Sequence, residues 1–165
     1  MLINSYRADI NGLRGIAILA VVFFHAGFDF ASGGYVGVDI FFVLSGFLIF
    51  NSIQSSIKKD RFSLLTFYER RFLRILPAVI TVAFLVSIVG YKLLFPEEIK
   101  ELLESVQSFL MLRSNIWASE SISYFGIGVG YKPLIHFWSL SIELQFYIFF
   151  PILLYFCLKS PIGDQ

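Results

Sequence analysis

The stretch ILPAVITVAFLVSIVGY, residues 75–91, decides the fold, because it is long, strongly apolar and free of charged side chains. An α-helix rises 1.5 Å per residue and the hydrocarbon core of a bilayer is about 30 Å thick, so roughly 20 mostly apolar residues can cross it. With the residues that follow, up to Phe95, this stretch is long enough. The sequence therefore predicts a transmembrane helix over residues 75–95.

Three further stretches have the same character. They cover residues 13–30, 36–57 and 134–158. All are too long and too uniformly apolar for the strands of a membrane barrel, which leaves helices as the spanning elements. The predicted fold class is all-α: a polytopic membrane protein with about four transmembrane helices in this chain. Segments 13–30 and 36–57 are separated by a short Gly-rich turn, which favours a tight antiparallel hairpin.

Composition supports a membrane protein and excludes several other classes. Of the 165 residues, 57% are hydrophobic and only 15% are charged, against about 25% charged in a typical soluble domain. The richness in aromatic residues excludes disorder, and a single cysteine excludes a disulfide scaffold. A net charge of +1 provides no electrostatic case for a nucleic-acid partner. We find no metal-ligand cluster or Gly-rich phosphate loop, so neither a metal nor a bound cofactor is predicted.

Basic residues predict the orientation of the chain. Six lysines and arginines lie in the segment 58–74, between the second and third apolar stretches. The segment 96–133 is instead rich in glutamate. The positive-inside rule places both termini and the 58–74 loop in the cytoplasm and 96–133 outside. Within that outer region, Glu98 to Trp117 has partial helical periodicity and could lie along the membrane interface.

Arg14 and His25 are ionisable residues inside the first predicted span, and such residues usually face a bundle interior or a water-filled cavity. Eleven positions separate them, which at 100° per residue returns close to the same helix face, about 16 Å along the axis. One interpretation is a polar track, with a fixed cation near its mouth and an imidazole that acts as base or nucleophile deeper in. The alternative is structural: Arg14 reaches the headgroups and His25 bonds between helices.

Asp39 opens the second span, and an acidic side chain at a helix N-terminus is already favoured by the helix dipole. Arg70, Arg71 and Arg74 crowd one side of a predicted short interfacial helix within residues 67–77. Guanidinium groups suit phosphate ligands. Ordinary positive-inside topology with contact to anionic lipids explains the same cluster.

The fourth span opens with PLIHFWSLSIELQFY, residues 133–147. His136, Ser139, Glu143 and Tyr147 recur at steps of three or four residues, which places them on one helix face. Glu143 is the candidate functional carboxylate, because a lone acid is rare in a span. Trp138 and Tyr147 also fit membrane-interface aromatics, and Ser139 fits helix packing.

Four ordered blocks of this sequence resemble the membrane acyltransferase family 3, the integral-membrane O-acyltransferases of cell-surface glycans. They are YRADINGLRGIA at 6–17 running on to His25, GGYVGVDIFFVLSGFLI at 33–49, FYERRFLRILP at 67–77 and PLIHFWSLSIELQFY at 133–147. The resemblance covers nearly the whole chain. It implies transfer of an acyl group, commonly acetyl, from cytoplasmic acyl-CoA, as a co-substrate, to a carbohydrate hydroxyl at the outer face of a bacterial plasma membrane.

The resemblance also implies roles for individual residues. Arg71 and Arg74, with Arg70 beside them, would meet the phosphates of the donor, and Arg14 would guide it. His25 would deprotonate the acceptor or relay the acyl group, and Glu143 would orient or charge-balance a partner. Trp138 and Tyr147 would shape the acceptor side.

The family's membrane domain has more spans than this chain, so the resemblance implies that residues 1–165 are the N-terminal portion of a larger helical bundle. Two alternatives stay open at this point. One is a non-catalytic membrane subunit or truncated remnant. The other is a transporter of the acyl donor or of lipid-linked sugars, since a polar intramembrane track also suits permeation.

Overall fold

The computed structural model describes residues 7–120 and 132–159, whose regular secondary structure is entirely helical. These described residues form six α-helices: α1 (Ala8–His25), α2 (Gly37–Lys58), α3 (Leu64–Leu93), α4 (Pro96–Leu110), α5 (Ser114–Glu120) and α6 (Phe137–Lys159). Two 3₁₀ turns, Asp29–Ala31 and Gly34–Val36, connect α1 to α2. The described residues form two compact units: 7–62 with 153–159, and 63–120 with 132–152.

Four of these helices are long and apolar enough to cross a membrane: α1, α2, α3 and α6. Their outward faces carry large apolar side chains in the open, such as Ile16 (65% exposed), Val43 (70%) and Phe149 (69%). Contiguous apolar surface of this kind is rare on a soluble monomer but suits contact with lipid. The four-span, all-α prediction is confirmed.

The first span ends five residues earlier than predicted, at His25 rather than at residue 30. Gly27 has a left-handed backbone (φ 76°), and the Phe28 amide donates to the Phe23 carbonyl at 3.1 Å while the Gly27 amide donates to Phe24 at 3.1 Å. These bonds, with the Phe23 and Phe28 rings in contact at 5.5 Å, form a Schellman motif that stops the helix. His25 is therefore the last residue of α1.

The first two spans pack as the predicted hairpin, and glycines allow the close approach. A Cβ atom at Gly34 would overlap the Ala20 carbonyl, and one at Gly37 would overlap the Ala17 carbonyl. Ala17 is fully buried. Small residues let transmembrane helices approach to backbone contact, which is how this hairpin is held together.

The third span begins eleven residues earlier than predicted, so the short interfacial helix proposed for residues 67–77 is wrong. Helix α3 runs unbroken from Leu64 through Pro77. Ser63 caps it by accepting from the Thr66 amide at 3.4 Å, and the Tyr68 hydroxyl donates to the Ile148 carbonyl of α6 at 2.8 Å. The Ser63 cap and the Tyr68 contact extend the helix on the N-terminal side of its apolar part. Pro77 lacks one backbone amide, but this does not end the helix. The predicted loop 58–74 shrinks to residues 59–63.

The stretch from Glu98 to Trp117 is helical, as its periodicity predicts, but it is broken at residues 111–113. Glu98 accepts from the Phe95 amide at 2.8 Å at the start of α4. Leu112 adopts φ 53°, and the Arg113 amide returns to the Ser108 carbonyl at 2.7 Å, which turns the chain into α5. Helix α6 then matches the predicted fourth span closely.

Candidate functional site

In the first unit, Arg14 and His25 both lie on α1, as predicted. The half-buried Arg14 guanidinium lies over the Phe41 ring of α2, 5.4 Å from its centroid. A guanidinium held against an aromatic face is kept in place by the negative potential of the ring. Arg14 is thus fixed within the hairpin rather than extended away from it.

His25 has a defined ring orientation. Its Nδ1 lies 2.8 Å from the Val21 carbonyl oxygen, and its ring meets that of Phe24 edge-on at 5.0 Å between centroids. A carbonyl can only accept, so Nδ1 carries the proton in the neutral ring and Nε2 carries the lone pair. The imidazole is therefore oriented with its basic nitrogen away from its own helix, and the side chain is exposed within the part of the chain that the structure describes.

Asp39 lies in the first turn of α2 and is exposed. This position agrees with an acid stabilised by the helix dipole. It provides no further sign of a catalytic role.

In the second unit, three predicted residues from two separate sequence blocks come together, and we call them the α3–α6 cluster: Arg71, Glu143 and Tyr147. The Tyr147 hydroxyl, on a side chain only 5% exposed, donates to the Glu143 carboxylate. The Arg71 guanidinium lies over the Tyr147 ring at 5.7 Å and over the Phe67 ring at 5.4 Å. One aromatic side chain therefore contacts a cation on its face and an anion at its hydroxyl.

The three arginines of this block occupy different surroundings. Arg71 is half-buried against aromatic rings, whereas Arg70 and Arg74 are exposed one turn apart. Only the latter two are presented to a ligand in the manner that the sequence predicted for the whole group. A phosphate contact by any of them stays a prediction.

The rest of the predicted α6 face is partly corrected. His136 lies just before the helix starts at Phe137, so it does not share a helical face with Glu143. The Ser139 hydroxyl donates to the His136 carbonyl at 3.1 Å, which is a helix-start contact and fits the structural interpretation. Trp138 is half-buried on the first turn.

Sequence reasoning missed two polar residues that join elements of the second unit. Tyr68 binds α6 through its hydroxyl, as described above. Gln145 donates from Nε2 to the Leu112 carbonyl at 2.6 Å and to Asn115 Oδ1 at 3.1 Å, which ties the α4–α5 turn to α6. An amide in an apolar span was the available signal for Gln145, because such a group needs partners in a bilayer.

Within residues 7–120 and 132–159, no group of three or more His, Cys, Asp and Glu side chains could hold a metal ion. Arg14, His25 and Asp39 belong to the first unit, and the α3–α6 cluster, with Arg70, Arg74, Trp138 and Ser139, belongs to the second. The polar track that the sequence predicts through these groups stays a prediction.

Comparison with known proteins yields one family and several relatives. The model of the acyltransferase domain family (acyltransferase 3) matches residues 7–164. The chain is 42% identical over 160 residues to the peptidoglycan O-acetyltransferase OatA of Listeria monocytogenes, covering 94% of this chain and 25% of that protein. It is 37% identical over 157 residues to the O-acetyltransferase OatA of Staphylococcus aureus, covering 93% and 25%.

A third relative is the putative membrane-bound transacylase BcsY of Komagataeibacter xylinus, 41% identical over 145 residues, with 87% of this chain and 36% of that protein covered. The chain thus spans between a quarter and about a third of the length of these relatives. No solved structure matches it.

Proposed function

Because the chain belongs to the acyltransferase 3 family, we propose that it serves a membrane O-acetyltransferase that moves an acetyl group from acyl-CoA to a hydroxyl of a cell-surface carbohydrate. The relatives named as O-acetyltransferases, one of them for peptidoglycan, support this activity and suggest peptidoglycan as the acceptor. The chain itself is a multi-pass membrane protein. Its position as the N-terminal portion of a larger bundle stays a prediction.

The observation that carries the proposal is the orientation of His25. With Nδ1 held by the Val21 carbonyl, Nε2 is the atom that accepts a proton. In the proposed reaction Nε2 removes the proton from the acceptor hydroxyl while that oxygen attacks the thioester carbonyl carbon. The carbon–sulfur bond then breaks, and the leaving thiolate takes the proton back from the imidazolium.

The position of His25 along α1 supports a place near the acceptor. Arg14 lies near the start of α1 and His25 at its end, eleven residues later, about 16 Å apart along the axis. With the N-terminus in the cytoplasm, as the basic residues predict, Arg14 would lie on the donor side and His25 on the acceptor side. The same placement fits a relay in which Nε2 itself carries the acetyl group between the two substrates.

The α3–α6 cluster supports a donor site beside the N-terminal part of α3, which lies toward the cytoplasm in the predicted orientation. Arg70 and Arg74 would bind phosphates of acyl-CoA, and Arg71 would link this site to Glu143 through the Tyr147 ring. Glu143 would then balance the positive charge of Arg71 in this part of the membrane.

Transfer of labelled acetyl from acetyl-CoA to peptidoglycan fragments tests the proposal, with the full protein in proteoliposomes. We expect His25→Ala to lower transfer by a factor of about 100 or more, the usual contribution of a general base, at unchanged helical circular dichroism. Undiminished transfer by this variant would remove His25 from the mechanism.

The donor side is tested with Arg74→Glu, and Lys59→Glu provides the matched control, because it reverses an exposed cation of the neighbouring loop. We expect the KM for acetyl-CoA to rise about tenfold in the first variant, the effect of losing a charge-assisted hydrogen bond, and to stay unchanged in the second. Equal changes of KM in both variants would indicate that the general charge of the membrane surface, and not a contact by Arg74, affects donor binding. Movement of acetyl-CoA without a new ester would instead support a transporter, and neither would support a non-catalytic subunit.

A further inference from the structure

Helices α4 and α5 of the second unit enclose an open cleft of about 210 Å³. It opens where the chain turns at Leu112, whose left-handed backbone sets the angle between the two helices. Known pockets for drug-sized ligands measure roughly 300–1,000 Å³. This cleft is smaller, which fits a group of about one sugar ring.

The lining of the cleft combines an aromatic face with hydrogen-bonding groups of both kinds. Trp117 provides the aromatic surface, Glu104 and Glu120 are acceptors, Arg113 is a donor and Gln107 is both. Apart from Trp117, these side chains are exposed, so a ligand reaches them without rearrangement of the fold.

Trp117 has a fixed position in this cleft. The Lys132 ammonium lies 5.4 Å from the Trp117 ring centroid and 3.7 Å from a carboxylate oxygen of Glu101. The carboxylate holds the cation in place, and the cation restrains the indole, because moving the ring costs the cation–π contact. A ligand therefore meets a pre-oriented aromatic surface, which reduces the entropy cost of binding.

We propose that this cleft binds a sugar ring of the carbohydrate acceptor. The C–H-rich face of a pyranose packs against an indole, while its hydroxyl and amide groups hydrogen-bond to carboxylates, an amide and a guanidinium. The inference rests on the proposed function, since the segment between α3 and α6 lies on the acceptor side only in the orientation that the basic residues predict. It adds a binding site for the substrate, separate from the reacting groups.

Binding is measured without any donor, on the full chain in nanodiscs. The chain has two tryptophans, Trp117 and Trp138, so fluorotryptophan labelling provides two fluorine NMR signals, assigned with Trp117→Phe. We expect an N-acetylglucosamine oligosaccharide to shift the Trp117 signal saturably. Glu104→Gln should weaken binding about fivefold, as expected for one hydrogen bond to an exposed charged group.

The matched control is Glu97→Gln, an exposed acid on the first turn of α4 outside the cleft; its affinity should equal that of the unchanged chain. The proposal is overturned if the oligosaccharide shifts the Trp138 signal but not the Trp117 signal, or if it shifts neither. It is also overturned if the Glu104→Gln variant binds the oligosaccharide as tightly as the Glu97→Gln variant. A stronger, saturable response to phosphoethanolamine than to the oligosaccharide would also overturn it in favour of a cationic headgroup.

The same titration on His25→Ala separates this inference from the proposed function. Binding that persists in a variant without transfer supports the cleft independently of catalysis. If the full protein transfers acetyl but the oligosaccharide does not shift its Trp117 signal, the proposed function is supported and the cleft is not the sugar-binding site.

Discussion

Tyr147 is the residue through which a cation and an anion inside the second unit act on each other. Its ring faces Arg71 and its hydroxyl binds Glu143. The helical spacing of Glu143 and Tyr147 predicted that they could meet, because side chains four apart are neighbours on a helix. The contact with Arg71 could not be predicted, since it depends on how α3 packs against α6.

Removing the Tyr147 hydroxyl tests its hydrogen bond to Glu143 separately from the contact of its ring with Arg71. We expect Tyr147→Phe, which keeps the ring beneath Arg71, to lower kcat about tenfold, and Glu143→Gln to have a similar effect. The double variant should be little worse than either single one, because both remove the same hydrogen bond. Acetyl transfer by all three variants is the measurement, and simple additivity of their effects would contradict a coupled pair.

Gly27 makes a second prediction at this scale. A Cβ there would meet nothing within 4 Å, and φ is 76°, so Gly27→Ala should cost about 1–2 kcal/mol from backbone strain alone. Gly15→Ala, equally open but inside α1, is the control and should stabilise by up to about 1 kcal/mol. Unfolding in mixed detergent micelles, followed by circular dichroism, compares the two; effects of the same sign would refute the strain argument.

At the scale of elements, the length of the apolar stretches predicted that the spans exist and that they are helical. It did not predict the residues at which the helices begin and end. The first span stops at a glycine in a Schellman motif, and the third starts eleven residues earlier in the chain than predicted, at a serine cap. Residues 64–74 contain three arginines, so apolar length alone placed the start of the predicted helix too late in the chain. Their helical order comes from the capping and packing of α3.

The hairpin of α1 and α2 depends on backbone contact at glycine. We expect Gly37→Ala to destabilise the hairpin by about 2 kcal/mol or more, because its Cβ would overlap the backbone carbonyl of Ala17 and force the helices apart. Gly33→Ala, whose Cβ would meet nothing within 4 Å, should be nearly neutral. The detergent unfolding midpoint measures both, and an equal loss at the two sites would exclude close packing as the cause.

At the scale of the whole molecule, orientation is the prediction with the widest consequences, since it decides which side each substrate meets. The single cysteine, Cys157, allows a test after its replacement by serine. Lys59→Cys should react with an impermeant maleimide only from the cytoplasmic side, and Lys100→Cys only from outside. The reverse pattern would invert the proposed donor and acceptor sides.

Sequence could identify the polar residues of both units, because ionisable groups in apolar spans are conspicuous. It could not find the cleft between α4 and α5, which depends on the break at Leu112. A leucine with a left-handed backbone has no sequence signature, and the partial helical periodicity from Glu98 to Trp117 does not mark where the helix breaks.

The hydrogen bond from Tyr68 to Ile148 has a consequence for how the protein is made. Its partners are 80 residues apart, and translation at about 5–20 residues per second separates their synthesis by roughly 4–16 s. During that interval the Tyr68 hydroxyl and the Arg71 guanidinium lack their contacts on α6, so water or lipid headgroups must bind them instead. The N-terminal part of the third span therefore gains its packing partner only after α6 has been made.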